Sequence, residues 1–289
     1  MKTWSHIAYL GLIWISICCL PQGVMAQSAY DQAKDLYAAG EYSKALTVVE
    51  VDIAQQSTPQ MLMLRGDCRH KLGNFAEALD DYDRAKILGY EKDDIYLHRG
   101  ICKVSLALYE SAKIDLTTYL QRQEDDPKGY YWLATIEYMM MENKASLRYL
   151  AEAIYLDSAY ADAYYLRAAN YADQNKMNLA FEDFQSAYAL KPAENRAKMN
   201  MAVIMMDMGQ FKSAAEMLSE LRLENIDFKA EVLYYRGEAL YHLHDMEGAC
   251  GDWVEAANLG DTDAEGNYRK LCIDKKDKPR FKRRQYVQF

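Results

Sequence analysis

The sequence lacks the short motifs that carry chemistry. It has no Gly-rich phosphate loop, no His-Glu-x-x-His, no Cys-x-x-Cys and no Gly-x-Ser-x-Gly, so nothing in it supports catalysis. Paired carboxylates such as Asp80-Asp81 and Asp93-Asp94 fall on repeat surfaces or joints, and solvation rather than acid–base work is their expected role. His242-x-His244, followed by Asp245, hints at a metal, but residues two apart on a helix point to different sides. Histidines near a helix C-terminus suit the dipole, so no metal and no cofactor is expected. Excess positive charge is missing too: the net charge is −9, which argues against nucleic acid as a partner. Phenylalanine is sparse at 7 against 24 Tyr, and Tyr suits half-exposed surfaces because it joins apolar area to a polar tip.

A membrane-spanning run is also missing. The mostly apolar stretch Ile7–Leu20 has 14 residues, short of the roughly 20 that cross a bilayer. Lys2 precedes it, Pro21-Gln22-Gly23 breaks it, and Val24-Met25-Ala26 leads to Gln27. A basic start, a short apolar centre and a small residue before the cut describe a secretory signal cleaved after Ala26. The rival is a lipoprotein signal at Cys18 or Cys19. It fits poorly, because Ile17 precedes Cys18, and Cys18 precedes Cys19 with Ser16 in the aliphatic slot. Export leaves Cys68, Cys102, Cys250 and Cys272 where disulfides can form.

What the chain does have is a ladder of small residues. One rail is Ala33, Gly66, Gly100, Ala134, Ala168, Ala202 and Gly237. The other, 12 residues on in each case, is Ala45, Ala78, Ala112, Ser146, Ala180, Ala214 and Ala249. Both rails step by 33, 34, 34, 34, 34 and 35 residues, so the joint between the last two repeats is one residue longer. Two small positions held in register require two helices whose backbones approach closely in every repeat. Apolar residues recur at three- and four-residue spacing, a helical period. Pro59, Pro127 and Pro192 fall at repeat boundaries, and Gly40, Gly73 and Gly209 fall at the turn inside a repeat. Repeats three, four and seven carry Ala107, Met141 and His244 in that turn.

With Leu62-Met63-Leu64-Arg65-Gly66, Ala78-Leu79-x-x-Tyr82-x-x-Ala85 and Tyr164-Tyr165-Leu166-Arg167-Ala168, the chain resembles tetratricopeptide repeat (TPR) proteins of an exported bacterial type. The resemblance covers residues 27–260. It implies an all-α, right-handed α-solenoid of about seven helix pairs. Thr262-Asp263-Ala264-Glu265 reads as a capping box that starts one more helix, over 261–273, covering the last repeat. Residues 274–289 form a basic tail. Lys275–Arg284 holds seven Lys or Arg and one Asp, or +6, which leaves −15 on the remainder. A solvated tail and contact with an anionic membrane surface are both open.

In this family the first helix of each repeat lines a concave groove. Carried over, the inward slots give a Tyr- and Met-rich set: Tyr30, Tyr37, Met63, Tyr131, Tyr138, Met139, Tyr165, Met199, Met206, Tyr234 and Tyr241. Aromatics and Met are enriched at binding surfaces. The alternative is that several of these residues pack against their own helix pair. The carboxylate clamp of some family members has no counterpart here beyond Lys34, so an extended or helical apolar segment of a partner protein is expected instead.

Cys68 and Cys102 take one slot in neighbouring repeats about 8–10 Å apart, beyond disulfide reach, and read as core residues. Cys250 and Cys272 are candidates for a bridge that staples the cap to the last repeat, stabilising by roughly 3 kcal/mol.

The reading that emerges is a non-enzymatic adaptor of the cell envelope, periplasmic or outer-membrane-associated. Glycan binding through stacked Tyr, and a holdase function, are its alternatives. Intact-mass analysis of the exported protein should give a chain beginning at Gln27; a mass that starts at a diacylated cysteine would overturn the signal reading.

Overall fold

The computed structural model describes residues 28–273 apart from Glu194 and Asn225. The expected signal segment with its cut after Ala26, Cys18, Cys19 and the basic tail lie outside the described residues. Among these residues there are fifteen α-helices and no strand. By its internal contacts the chain divides into two compact units, between Tyr90 and Glu91. The first holds α1 (Ala29–Ala38), α2 (Tyr42–Gln55), α3 (Pro59–Lys71) and α4 (Phe75–Ile87). The second holds α5 (Asp94–Ser105), α6 (Tyr109–Leu120), α7 (Pro127–Met139), α8 (Asn143–Leu156), α9 (Ala161–Asp173), α10 (Met177–Leu190), α11 (Asn195–Asp207), α12 (Phe211–Arg222), α13 (Lys229–His242), α14 (Met246–Asn258) and α15 (Thr262–Asn267). A π-helical turn, Tyr268–Cys272, follows α15. Within each unit consecutive helices pack on one another, two pairs in the first and five in the second. A helix with one apolar stripe needs such a neighbour to bury it.

One contact recurs inside every pair. The small residue of the first rail faces a larger residue sixteen positions on. These are Val49, Tyr82, Leu116, Leu150, Phe184, Leu218 and Trp253, and all seven are buried. At the three glycines of the rail the approach leaves no room for a Cβ. A Cβ added at Gly66 would lie 2.5 Å from Tyr82 Cε1, at Gly100 2.7 Å from Leu116 Cγ, and at Gly237 2.6 Å from Trp253 Nε1.

The turn inside each pair has one conformation whatever its residue. Gly40, Gly73 and Gly209 are left-handed, and so are Ala107, Met141, Asn175 and His244, with φ between 57° and 65°. In all seven pairs the next N–H returns to a carbonyl five residues back, as from Glu41 to Leu36 and from Glu142 to Glu137. This is the bond that closes a helix through a left-handed residue. The missing glycines of repeats three, four, five and seven therefore change the strain of the turn and not its path.

Charge is buried in register as well. Arg65, Arg167 and Arg236 precede a first-rail residue and grip Asp81, Asp183 and Asp252, again sixteen positions on, so Asp81 is fully buried and not solvated as expected, its charge met by the guanidinium. Arg99 lies 3.6 Å from Asp115 in the same arrangement, and Lys103 adds a contact at 2.6 Å. Ser146, in an alanine slot, donates to the Ala134 carbonyl and accepts from Asn170 Nδ2, so its buried hydroxyl is satisfied.

The cap differs from expectation by one residue. Asp261, not Thr262, caps α15: its backbone is extended and its carboxylate accepts from the Ala264 N–H at 2.7 Å. Thr262 is already helical. Ala264, Tyr268 and Cys272 pack with Trp253 and Leu233. Cys250 and Cys272 are bonded, with their Cα atoms 5.7 Å apart. Cys68 and Cys102 are buried free thiols.

Two substitutions test the packing and the turns. Gly237→Ala should lower stability by about 1–3 kcal/mol, since the Trp253 ring must move. Gly251→Ala, with nothing within 4 Å of its new Cβ, should not. Met141→Gly, at a turn residue 82 % exposed with φ 63°, should stabilise by about 0.5 kcal/mol in thermal or urea melts.

Candidate functional site

The family slots put Tyr30, Tyr37 and Met63 in the first unit. Tyr30 is half-buried, with the Lys34 ammonium 5.7 Å from its ring centre. Tyr37 packs on Tyr42, and burial followed by the charge of Asp67 pushes its hydroxyl up to about 12. Met63 is only 5 % exposed and belongs to the helix-pair core.

The other eight slots are in the second unit, and they separate by depth. Met199, at 5 % exposure, is core, packed with Ala202, Leu218 and Val232. Met206 is half-buried against that cluster. Met139 is 53 % exposed at the end of α7. Tyr234 packs edge-on to Tyr235, and Tyr241 leans on Trp253 and His242. Tyr138 is half-buried; burial, then a hydrogen bond with Asp173, raises its hydroxyl to about 12.

Tyr131 and Tyr165 come together on a cavity of about 660 Å³. Each lies four residues beyond the start of its helix, α7 or α9. Asp162, Asn195 and Arg196 line the cavity from the first turns of α9 and α11. Ile226, Asp227 and Phe228 line it from the joint before α13. Tyr165 packs its ring edge-on to Phe184 and accepts at its hydroxyl from Asn200 Nδ2 at 2.9 Å. Tyr131 meets the rings of Trp132 and Tyr160. Burial, then the charge of Tyr131, raises the Tyr160 hydroxyl well above the ordinary tyrosine range. Asp162 accepts from Lys191 Nζ at 2.8 Å, while Arg196 pairs with Glu231 at 3.4 Å and lies 4.5 Å over the Phe228 ring. The cavity is thus apolar in its walls and mixed in charge at its rim, within the size range of small-ligand and side-chain pockets.

Of the eleven slots, Tyr131 and Tyr165 line this cavity, and Asp162, Asn195, Arg196, Ile226, Asp227 and Phe228 line it from positions outside the slots. A signal for the last three was present: they occupy the one joint that is a residue longer than the rest. Among the described residues no group of three or more His, Cys, Asp or Glu could hold a metal ion, and no helix is long and apolar enough to cross a membrane.

Consecutive helix pairs, each closed by the same small-to-large contact, define a helical-repeat protein. The tetratricopeptide-repeat family model matches residues 30–91 and 200–264. Similar solved structures include a tetratricopeptide repeat protein of Parabacteroides merdae ATCC 43184, at 15% identity over 84% of this chain and 95% of that one, TM-score 0.61. The C-terminal part of a TPR-repeat protein of Cytophaga hutchinsonii matches at 16% identity over 81% and 97%, TM-score 0.60. The Cut9–Hcn1 hetero-tetramer of the APC/C matches at 13% identity, TM-score 0.68, with 88% of this chain covering 50% of that one. A comparison with curated proteins finds no match. Two stretches of the chain thus match tetratricopeptide repeats, the solved structures share its helix-pair fold, and repeats of this kind are scaffolds for protein–protein interaction.

The raised tyrosines give a pH test. Burial and the hydrogen bond with Asp173 hold the Tyr138 hydroxyl up at about 12, above the ordinary tyrosine range, so its neutral form is the one the fold holds. Its stabilisation is complete below pH 10 and is lost as pH climbs towards 12. Melting temperature should fall less across that window in Tyr138→Phe than in the wild type; equal slopes would show that Tyr138 ionises freely.

Proposed function

We propose that the protein is a non-enzymatic adaptor of the cell envelope that docks a segment of a partner protein, with the Tyr131–Tyr165 cavity as the anchor point. The cavity is the observation that carries this reading. It offers two tyrosine rings and Phe228 as an apolar floor, with carboxylate, amide and guanidinium groups at the edge to orient a bound chain. A rigid α-helical frame holds these rings, so ordering costs little on binding. The envelope location rests on the signal-like segment 1–26, and the anionic-surface role of the tail rests on its charge.

A second reading has one observation in its favour. Tyr131 and Tyr165 stand beside Asp162, Asn195 and Asp227, a polar fringe that also suits a sugar stacked on an aromatic face.

Crosslinked pull-down from intact cells tests the first reading. One or two stoichiometric partners should be captured by the wild type. Capture should fall at least about tenfold for Tyr131→Ala, the loss of one anchor worth roughly 1.4 kcal/mol or more, with helical circular dichroism unchanged. Undiminished capture by Tyr131→Ala removes the cavity from the proposal. Binding of envelope polysaccharide by calorimetry, abolished by the same substitution, would favour the second reading.

A further inference from the structure

The most uneven feature of the sequence is not used by the site as described. Lys275–Arg284 carries +6 and the remainder of the chain −15. We infer that this basic segment is a ligand of the chain's own cavity, laying lysine or arginine stems on Tyr131 and Tyr165 with their charges at Asp227 and Asp162.

Four observations lead there. First, Asp227 lines the cavity on an exposed joint and forms no ion pair among the described residues. The rim cations are already engaged, Lys191 with Asp162 and Arg196 with Glu231 and the Phe228 ring. An incoming cation therefore meets one open carboxylate and a neutralised surround. Second, the walls are tyrosine, whose faces attract ammonium and guanidinium groups and whose rings cover their aliphatic stems. The segment Arg280-Phe281-Lys282-Arg283 supplies such stems together with an aromatic residue.

Third, the distance is short. The disulfide holds Cys272 against α14, whose neighbour α13 is capped by Phe228 at the cavity. The segment must travel about one helix length, roughly 20 Å for the 14 residues of α13. Eleven residues from Asp274 to Arg284 can span about 36 Å. Fourth, tethering this close gives a local concentration on the order of millimolar, so even a weak contact is populated. The excess negative charge of the body favours the same association.

The consequence for the adaptor is that a partner competes with the chain's own segment. This inference does not need the partner reading to hold, and the two fail separately. Zero-length carbodiimide coupling of the full chain, at concentrations where it is monomeric, joins carboxylates to lysines that touch them. Coupling of Lys275, Lys276, Lys278 or Lys282 to Asp227 or Asp162 should exceed coupling to the exposed Glu110 and Glu152 by about tenfold, as the local-concentration argument requires. It should drop in Asp227→Asn and in 0.5 M salt, where the Debye length is about 4 Å against about 30 Å at 0.01 M. Even coupling across all carboxylates overturns the inference. So does coupling found only in a crosslinked dimer, which would assign the segment to a second copy. Replacing Lys282, Arg283 and Arg284 with Gln should raise partner capture; if no partner is captured by either form while the coupling to Asp227 persists, the adaptor reading fails and this one stands.

Discussion

The contact between a small residue and a large one sixteen positions later is what the rest of the molecule depends on. It sets how close the two helices of a pair come, and so which side chains can lie between them. Where the partner is Tyr82 or Trp253, even one Cβ on the facing residue would overlap it. Where the partner is Leu150 or Leu218, alanine is tolerated. The trade of size is partial, since Leu116 faces Gly100 and Phe184 faces Ala168, but a small residue on the first helix lets a range of larger partners pack within the same interface. The left-handed turn follows from the same demand. With both helices fixed, the chain has one short route between them. It takes that route with glycine at Gly209 and with methionine at Met141.

That rigidity places the variable chemistry at the joints between pairs. The inside of a pair has little freedom left, whereas a joint can lengthen or change sequence at small entropic cost. The cavity is built this way. Tyr131 and Tyr165 come from helices of regular repeats, and Ile226, Asp227 and Phe228 come from the longer joint before α13. The scaffold supplies walls at fixed positions, and one irregular joint supplies the remaining side.

Much of the fold was legible because periodicity is a property of sequence alone. The rails located every helix pair, and Pro59 and Pro127 sit at helix starts as their missing N–H requires. Depth was not legible. Slot position tells which face of a helix a side chain takes, but not how far the next helix leans over it. Met63 and Met199 share a face with Tyr131 and Tyr165 yet lie in the core, because their neighbours close over them. The cap illustrates a different limit. Asp261 and Thr262 are both good capping residues, and the choice between them depended on which backbone was extended after Gly260. Contacts between non-equivalent slots, such as Arg196 over Phe228, leave no trace in a repeat pattern.

The buried ion pairs show why the pattern holds its register. Repeats two, three, five and seven set Arg against Asp beside the small-to-large contact; repeats four and six put Leu133 with Tyr149 and Met201 with Met217 there instead. Apolar pairs at that slot are adequate for packing, and buried ion pairs seldom add much net stability over them. Their effect is on the alternatives. If α4 slid by one residue against α3, the Arg65 guanidinium would face the Tyr82 ring, and the fully buried Asp81 would lose its bidentate partner. A stranded buried charge costs several kcal/mol, where a displaced Leu or Met costs far less. In a chain whose repeats resemble one another closely enough to mispair, a few charged pairs inside a small-residue ladder make the correct alignment the only inexpensive one.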